Sequence, residues 1–179
     1  MSRALLIIDI QRDYFPGGAY PLFEPEAAAD AAAGLLDSFR ESGEPVIHLK
    51  HVWDAPEATF MVPGTDGVEI HPAVEPAEGE PVIEKAEPNG FLVTTLEDEL
   101  RSRDVDQLVV AGMMSSMCVD ATVRAAADKG IGVTVAHDGC AAPDLEFGGT
   151  QVPGASVHAA FMAALADGYA EVVSAGDVT

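Results

Sequence analysis

Positive charge is what this sequence has least of: nine lysines and arginines stand against thirty aspartates and glutamates, a formal net charge of −21. A field of that sign repels phosphate, so no nucleic acid and no anionic membrane is expected as a partner. Cysteine is almost absent too, with only Cys118 and Cys140 in 179 residues, which rules out a disulfide-stapled scaffold. No apolar run approaches the ~18 residues that a membrane-spanning helix needs. Met1 leads directly into Ala4-Leu5-Leu6-Ile7-Ile8 without the charged segment and cleavage site of a signal peptide, so a cytoplasmic location and unpaired thiols are expected. Hydrophobic residues nonetheless make up 48% of the chain, enough for one domain with a substantial core over residues 1–179.

Only three lysines remain, Lys50, Lys85 and Lys129. An acidic, lysine-poor surface stays hydrated in concentrated salt, where screening relieves its self-repulsion. The composition fits a halophilic source and equally an acidic protein from an alanine-rich proteome. A melting temperature that climbs into molar potassium chloride is expected of the first, and an unchanged one excludes it.

Short apolar runs alternate with helical patterns. Strands are predicted at 3–10, 45–51, 81–84, 107–112, 132–136 and 171–174, and helices at 24–42, 94–103, 116–129 and 155–166. Strands joined by helical crossovers run parallel, and right-handed crossovers put helices on both faces of the sheet. The expected fold is therefore a three-layer α/β/α sandwich, in which ligands bind beyond the carboxyl ends of the strands. Segments 52–79 and 137–154 fit no regular element, follow strands, and are expected to form pocket walls at that edge.

Three side chains with chemical capacity fall at the same edge. Asp9 closes the first apolar run, where a carboxylate is costly unless something uses it; it can act in chemistry or serve as scaffold, capping a turn or pairing with Arg12. Lys85 ends the third strand. Cys118 follows the strand 107–112 and a tight turn, at what reads as the start of a helix, where free amides and the helix dipole favour thiolate over thiol. Together they compose a coherent reaction: Asp9 takes and returns a proton, Lys85 steadies the charges, and Cys118 attacks a carbonyl carbon.

These residues resemble the isochorismatase-like cysteine hydrolases. The first strand ends in Asp9-Ile10-Gln11-Arg12-Asp13-Tyr14-Phe15, similar to the family's Asp-x-Gln-x-Asp-Phe motif, Lys85 is followed by Asn89-Gly90-Phe91, and residues 112–122 match the cysteine segment. The resemblance covers the whole chain. It implies a six-stranded parallel sheet in the order 3-2-1-4-5-6 and a triad of Asp9, Lys85 and Cys118. It also implies an oxyanion hole from the backbone amides of Met114 and Cys118, with a non-proline cis peptide between Met113 and Met114. The activity implied is hydrolysis of a small carboxamide through a thioester, and the assembly a homodimer or homotetramer.

Nicotinamidases of the family resemble metal enzymes carrying an Asp-x-His pair after the second strand. This chain has His48-Leu49-Lys50-His51-Val52-Trp53-Asp54 instead. His48, His51, Asp54 and His71 are the remaining candidate ligands, and neither a metal nor another cofactor is expected. Phe15, Trp53, Phe60 and Phe91 leave the carboxyl edge and, with Met117, are candidates for the substrate pocket; each can equally belong to the core. His158 is expected to be a satisfied core or interface histidine, its rival role being a dyad with Cys118. Cys140 reads as a small core residue. Three other functions compete: vinyl ether hydrolysis of the isochorismatase type, carried out by relatives without the cysteine, a non-catalytic binding or oligomerisation protein, and a thiol redox enzyme.

Overall fold

The computed structural model describes residues 2–178. In chain order its elements are β1 (Ser2–Ile8), α1 (Pro25–Ser42), β2 (Val46–His51), β3 (Val82–Lys85), α2 (Leu96–Ser102), β4 (Val105–Met113), α3 (Asp120–Asp128), β5 (Gly132–Ala141), β6 (Leu145–Phe147), β7 (Thr150–Val152), α4 (Gly154–Gly168) and β8 (Glu171–Val173). Six strands form one sheet in the order β3-β2-β1-β4-β5-β8, and every pairing in it is parallel. The expected strand order therefore holds, with β8 in the sixth place.

β1 shows why the strands read as unbroken apolar runs. Leu5 and Ile7 enter one core with α1, whereas Ala4, Leu6 and Ile8 enter a second core with α2, α3 and α4. Burial on both faces removes the polar-apolar alternation of a half-exposed strand. The α1 face is completed by the excursion between β2 and β3, from which Met61, Val68 and Val74 are buried in the same core. That segment takes the place of a crossover helix. No helix among the described residues is long and apolar enough to cross a membrane.

Beyond shifts of a residue or two elsewhere, four segments depart from the sequence reading. β1 stops at Ile8 rather than residue 10, because Asp9 turns into the left-handed region at φ 49°. β5 runs on to Ala141 after a register shift against β4 between Val110 and Gly112. Residues 145–152, expected to be irregular, form the antiparallel hairpin β6-β7, so the strands number eight among the described residues. Finally, the single helix expected at 116–129 is a wide turn over Ser115–Val119 followed by α3. The Val119 amide donates to the Met114 carbonyl five residues back at 3.2 Å, the π-type spacing that recurs at functional sites.

Two contacts fix the frame beneath the carboxyl edge of the sheet. Gly112 lies opposite Ile8 in the β1-β4 register, and a Cβ there would stand 2.3 Å from the Ile8 carbonyl oxygen. The central strands could not pair so closely around a larger residue. At the far end of the excursion, Glu80 accepts two bonds from the Arg40 guanidinium, at 2.7 and 2.8 Å, and contacts buried His48 Nε2 at 2.9 Å. Arg40 also reaches the Glu75 carbonyl, so α1, β2 and the excursion are tied at one carboxylate.

The Arg40 bonds, opposed by burial and assisted by the Ala77 amide and His48, hold the Glu80 carboxyl at about 2, below its ordinary 4.5. Because the folded value is depressed, the stabilisation is present above pH 4.5 and is lost as pH falls toward 2. Glu80→Gln is expected to cost about 1–2 kcal/mol at neutral pH and to remove this part of the acid sensitivity. Urea unfolding between pH 3 and pH 7 checks it; an unchanged pH slope would contradict the assignment.

Candidate active site

The carboxyl ends of β1 and β3 and the turn after β4 bring Asp9, Lys85 and Cys118 together. Asp9 and Lys85 are 0% and 3% exposed and Cys118 4%. Lys85 Nζ lies 2.6 Å from Asp9 Oδ2, and it donates to Cys118 Sγ at 3.3 Å and to the Glu87 carbonyl at 3.0 Å. It also contacts His51 Nδ1 at 3.1 Å. Arg12, the alternative partner weighed for Asp9, pairs with Asp66.

Burying this ammonium disfavours its charged form, but Asp9 and then Cys118 outweigh that cost and its pKa rises. His51 moves the other way: burial, then the Lys85 charge, lower its pKa. His51 is therefore neutral, with Nδ1 accepting from the ammonium and Nε2 carrying the proton. Asp9, His51 and Cys118 present donor atoms within 4.8 Å of one another, a spacing that a metal could also use. All three donors face the Lys85 ammonium, which is the cation their geometry serves.

Cys118 departs from the expectation of a thiolate favoured by a helix start. Burial and then the Asp9 charge push its thiol well up, and Lys85 offsets them only in part. The wide turn, not a regular helix end, carries the sulfur, and the desolvated carboxylate beside it disfavours a second negative charge. The resting group is a thiol. Beside it, Asp9 Oδ1 is buried and receives no hydrogen bond from any donor among the described residues, leaving an acceptor for that proton.

The remaining motif residues build the frame. Gln11 accepts from the His51 amide at 2.7 Å and donates to the His51 carbonyl at 2.8 Å and the Val68 carbonyl at 2.7 Å, so its side chain continues the β2 edge as a strand would. Asp13, also buried, accepts from the Ala19 and Met61 amides at 3.0 and 2.6 Å. Through these two side chains the segment after β1 holds the excursion over the site. The Met113-Met114 peptide is cis, and the next residue, Ser115, contacts His158 Nδ1 at 2.8 Å. His158 thus contacts the turn that carries Cys118 through Ser115.

The five pocket candidates separate. Trp53 meets Phe60 edge-on at 5.4 Å, and Phe60 lies near Tyr14 and Tyr20 at 6.1 and 5.0 Å. Phe15 instead stacks on His71 at 3.8 Å. Phe91 packs into the core on the opposite sheet face, under Lys129, and Met117 is exposed. Of the proposed metal ligands, His48 is committed to Glu80, His71 accepts from the Ala73 amide, and Asp54 is exposed, so they do not converge. Of the aromatic group at residues 14, 53 and 60, Tyr14 is buried, and after burial itself, Cys118 and Asp9 are the next causes that raise its phenol.

Sequence reading offered His51 only as a candidate metal ligand, not as a partner of Lys85, and missed Tyr14 and the Glu87 carbonyl. His51 was legible in one respect, since it ends β2 as Lys85 ends β3 and the two are register partners. The other two depend on loop paths that no periodicity encodes.

Removing one member of a buried ion pair leaves the other uncompensated. Lys85→Met is expected to cost about 3–5 kcal/mol in urea unfolding, and the double variant Asp9→Asn, Lys85→Met to recover most of it. Equal destabilisation by the single and double changes would contradict the pairing.

Comparison with known proteins follows the same lines. The Isochorismatase domain family matches residues 3–177. The chain is 50% identical over 172 residues to an isochorismatase family protein of Bacillus subtilis, covering 96% of each. A solved isochorismatase hydrolase structure from Oleispira antarctica superposes with a TM-score of 0.95 at 48% identity, covering 99% of this chain and 95% of that one. Relatives with activities in their names include the maleamate amidohydrolase of Pseudomonas putida, 34% identical over 75% of this chain and 70% of that protein. The N-carbamoylsarcosine amidase of Thermoplasma acidophilum is 26% identical, with a TM-score of 0.82 over 99% of both chains. The chain belongs to the isochorismatase family of hydrolases.

Proposed function

We infer that this protein hydrolyses the C–N bond of a small carboxamide through a thioester on Cys118. The observation that carries the reading is the buried Lys85 ammonium touching both the Asp9 carboxylate and the Cys118 sulfur. The amidases among the relatives support the same reaction class.

The thiol transfers its proton to Asp9 as Sγ bonds to the amide carbon, and the carbonyl oxygen takes the displaced electron pair. The Met114 and Cys118 amides are the donors for that oxyanion; in comparable sites one such donor is worth about 3–4 kcal/mol of barrier. Asp9 then protonates the departing nitrogen, and ammonia or an amine leaves as the thioester forms. Water, deprotonated by Asp9, attacks the acyl carbon, and the sulfur departs and recovers its proton. The acid product remains. Lys85 stays charged throughout, holding Asp9 in place and stabilising sulfur whenever it carries negative charge.

A cysteine at the nucleophile position disfavours vinyl ether hydrolysis, which needs no covalent acyl carrier. A buried thiol whose pKa is raised is also poorly suited to peroxide chemistry, which selects exposed, low-pKa cysteines.

Ammonia release across a panel of small amides, with intact-mass detection of the acyl-enzyme, tests the reading. Cys118→Ala is expected to abolish both signals, while Cys140→Ala leaves them within about twofold, as a substitution away from the reacting atoms should. Turnover surviving in Cys118→Ala would overturn it.

A further inference from the structure

All nine lysines and arginines of the sequence are paired with carboxylates. Around the catalytic edge these are Lys85 with Asp9, Arg12 with Asp66 and Lys50 with Glu69. Lys85 is spent on the reacting groups. Arg12 and Lys50 sit beside their acids, so each presents a neutral pair to an incoming ligand. The two histidines near the edge do not compensate: burial first, then Lys85 for His51 and Arg12 for His71, lowers both pKa values.

Acidic groups on the same segments are exposed, with Asp54 and Glu57 on the excursion, Glu84 and Glu87 at the end of β3, and Asp144 and Glu146 after β5. Carboxylates therefore outnumber cations over the edge and its field is negative, while the cations there already stand beside acids. Half-buried Phe60 and Trp53, backed by buried Tyr14, leave apolar and π surface on the excursion, which suits an uncharged body or an ammonium.

We propose that the substrates of this site are small carboxamides whose non-reacting part is uncharged or cationic, and that amides bearing a carboxylate are excluded. The proposal rests on the amidase reading and narrows it. It also gives the reaction a direction. Hydrolysis turns a neutral carboxamide into a carboxylate, so surroundings that admit the substrate repel the acid product and speed its departure.

Two measurements test it. Benzamide, 4-(aminomethyl)benzamide and 4-carboxybenzamide differ in charge far from the reacting carbon. Relative kcat/KM values are expected to favour the first two by about 10- to 100-fold at low salt, the gap closing as added salt screens the field. Independently of turnover, iodoacetamide is expected to alkylate Cys118 about tenfold faster than iodoacetate, each rate normalised to free cysteine. A carboxylate-bearing amide hydrolysed as fast as its neutral partner, or iodoacetate matching iodoacetamide, overturns the proposal; the amidase reading stands if ammonia release still depends on Cys118. Failure of every amide overturns the amidase reading and this proposal with it, whereas the labelling ratio alone still reports the negative field.

Discussion

The structure is organised around one ion pair taken out of water, Asp9 with Lys85 at 2.6 Å. Two charges in a low-dielectric interior are costly to place and costly to separate, so the remaining protons of the ammonium must find acceptors. Lys85 does this with three further contacts, to His51, Glu87 and Cys118. Four acceptors face three ammonium protons, and the longest contact is the one to sulfur. That contact has the most to gain when sulfur becomes negative. Burial and then the Asp9 carboxylate make the thiol a poor acid at rest, and the ammonium works against both.

Much of the chain outside the triad holds this pair in place. Gln11 brackets the backbone of His51, Asp13 receives two loop amides, and Glu80 ties the far end of the excursion to α1 and β2. Each is a charged or amide side chain that bonds backbone or a fixed partner. The motif beginning at Asp9 thus combines one member of the buried ion pair with two residues that build the wall over it.

The fold was legible because β1, β2 and β4 are buried on both faces and α1 has clear ends, with Pro25 in its first turn and Gly43 at its close. The gathering of Asp9, Lys85 and Cys118 was legible because costly side chains stood at the ends of apolar runs. What escaped was of another kind. The hairpin at 145–152 is too short and exposed to carry a periodic signal. The aromatic candidates share an edge in sequence but divide between two cores in space, Phe60 with one and Phe91 with the other. The thiol's acidity depends on burial and on a carboxylate more than a hundred positions away, against which the local cue of a helix start counted for little.

The central claim is that Asp9 both suppresses the resting thiolate and carries the proton in turnover. Asp9→Asn separates the two effects. The pH dependence of Cys118 alkylation, followed beside amide turnover, is the direct measurement. The account predicts that the variant titrates its thiol at lower pH than the wild type and labels faster at neutrality, while turnover falls about 100-fold or more. A thiol that titrates unchanged, or turnover that survives the substitution, would contradict it.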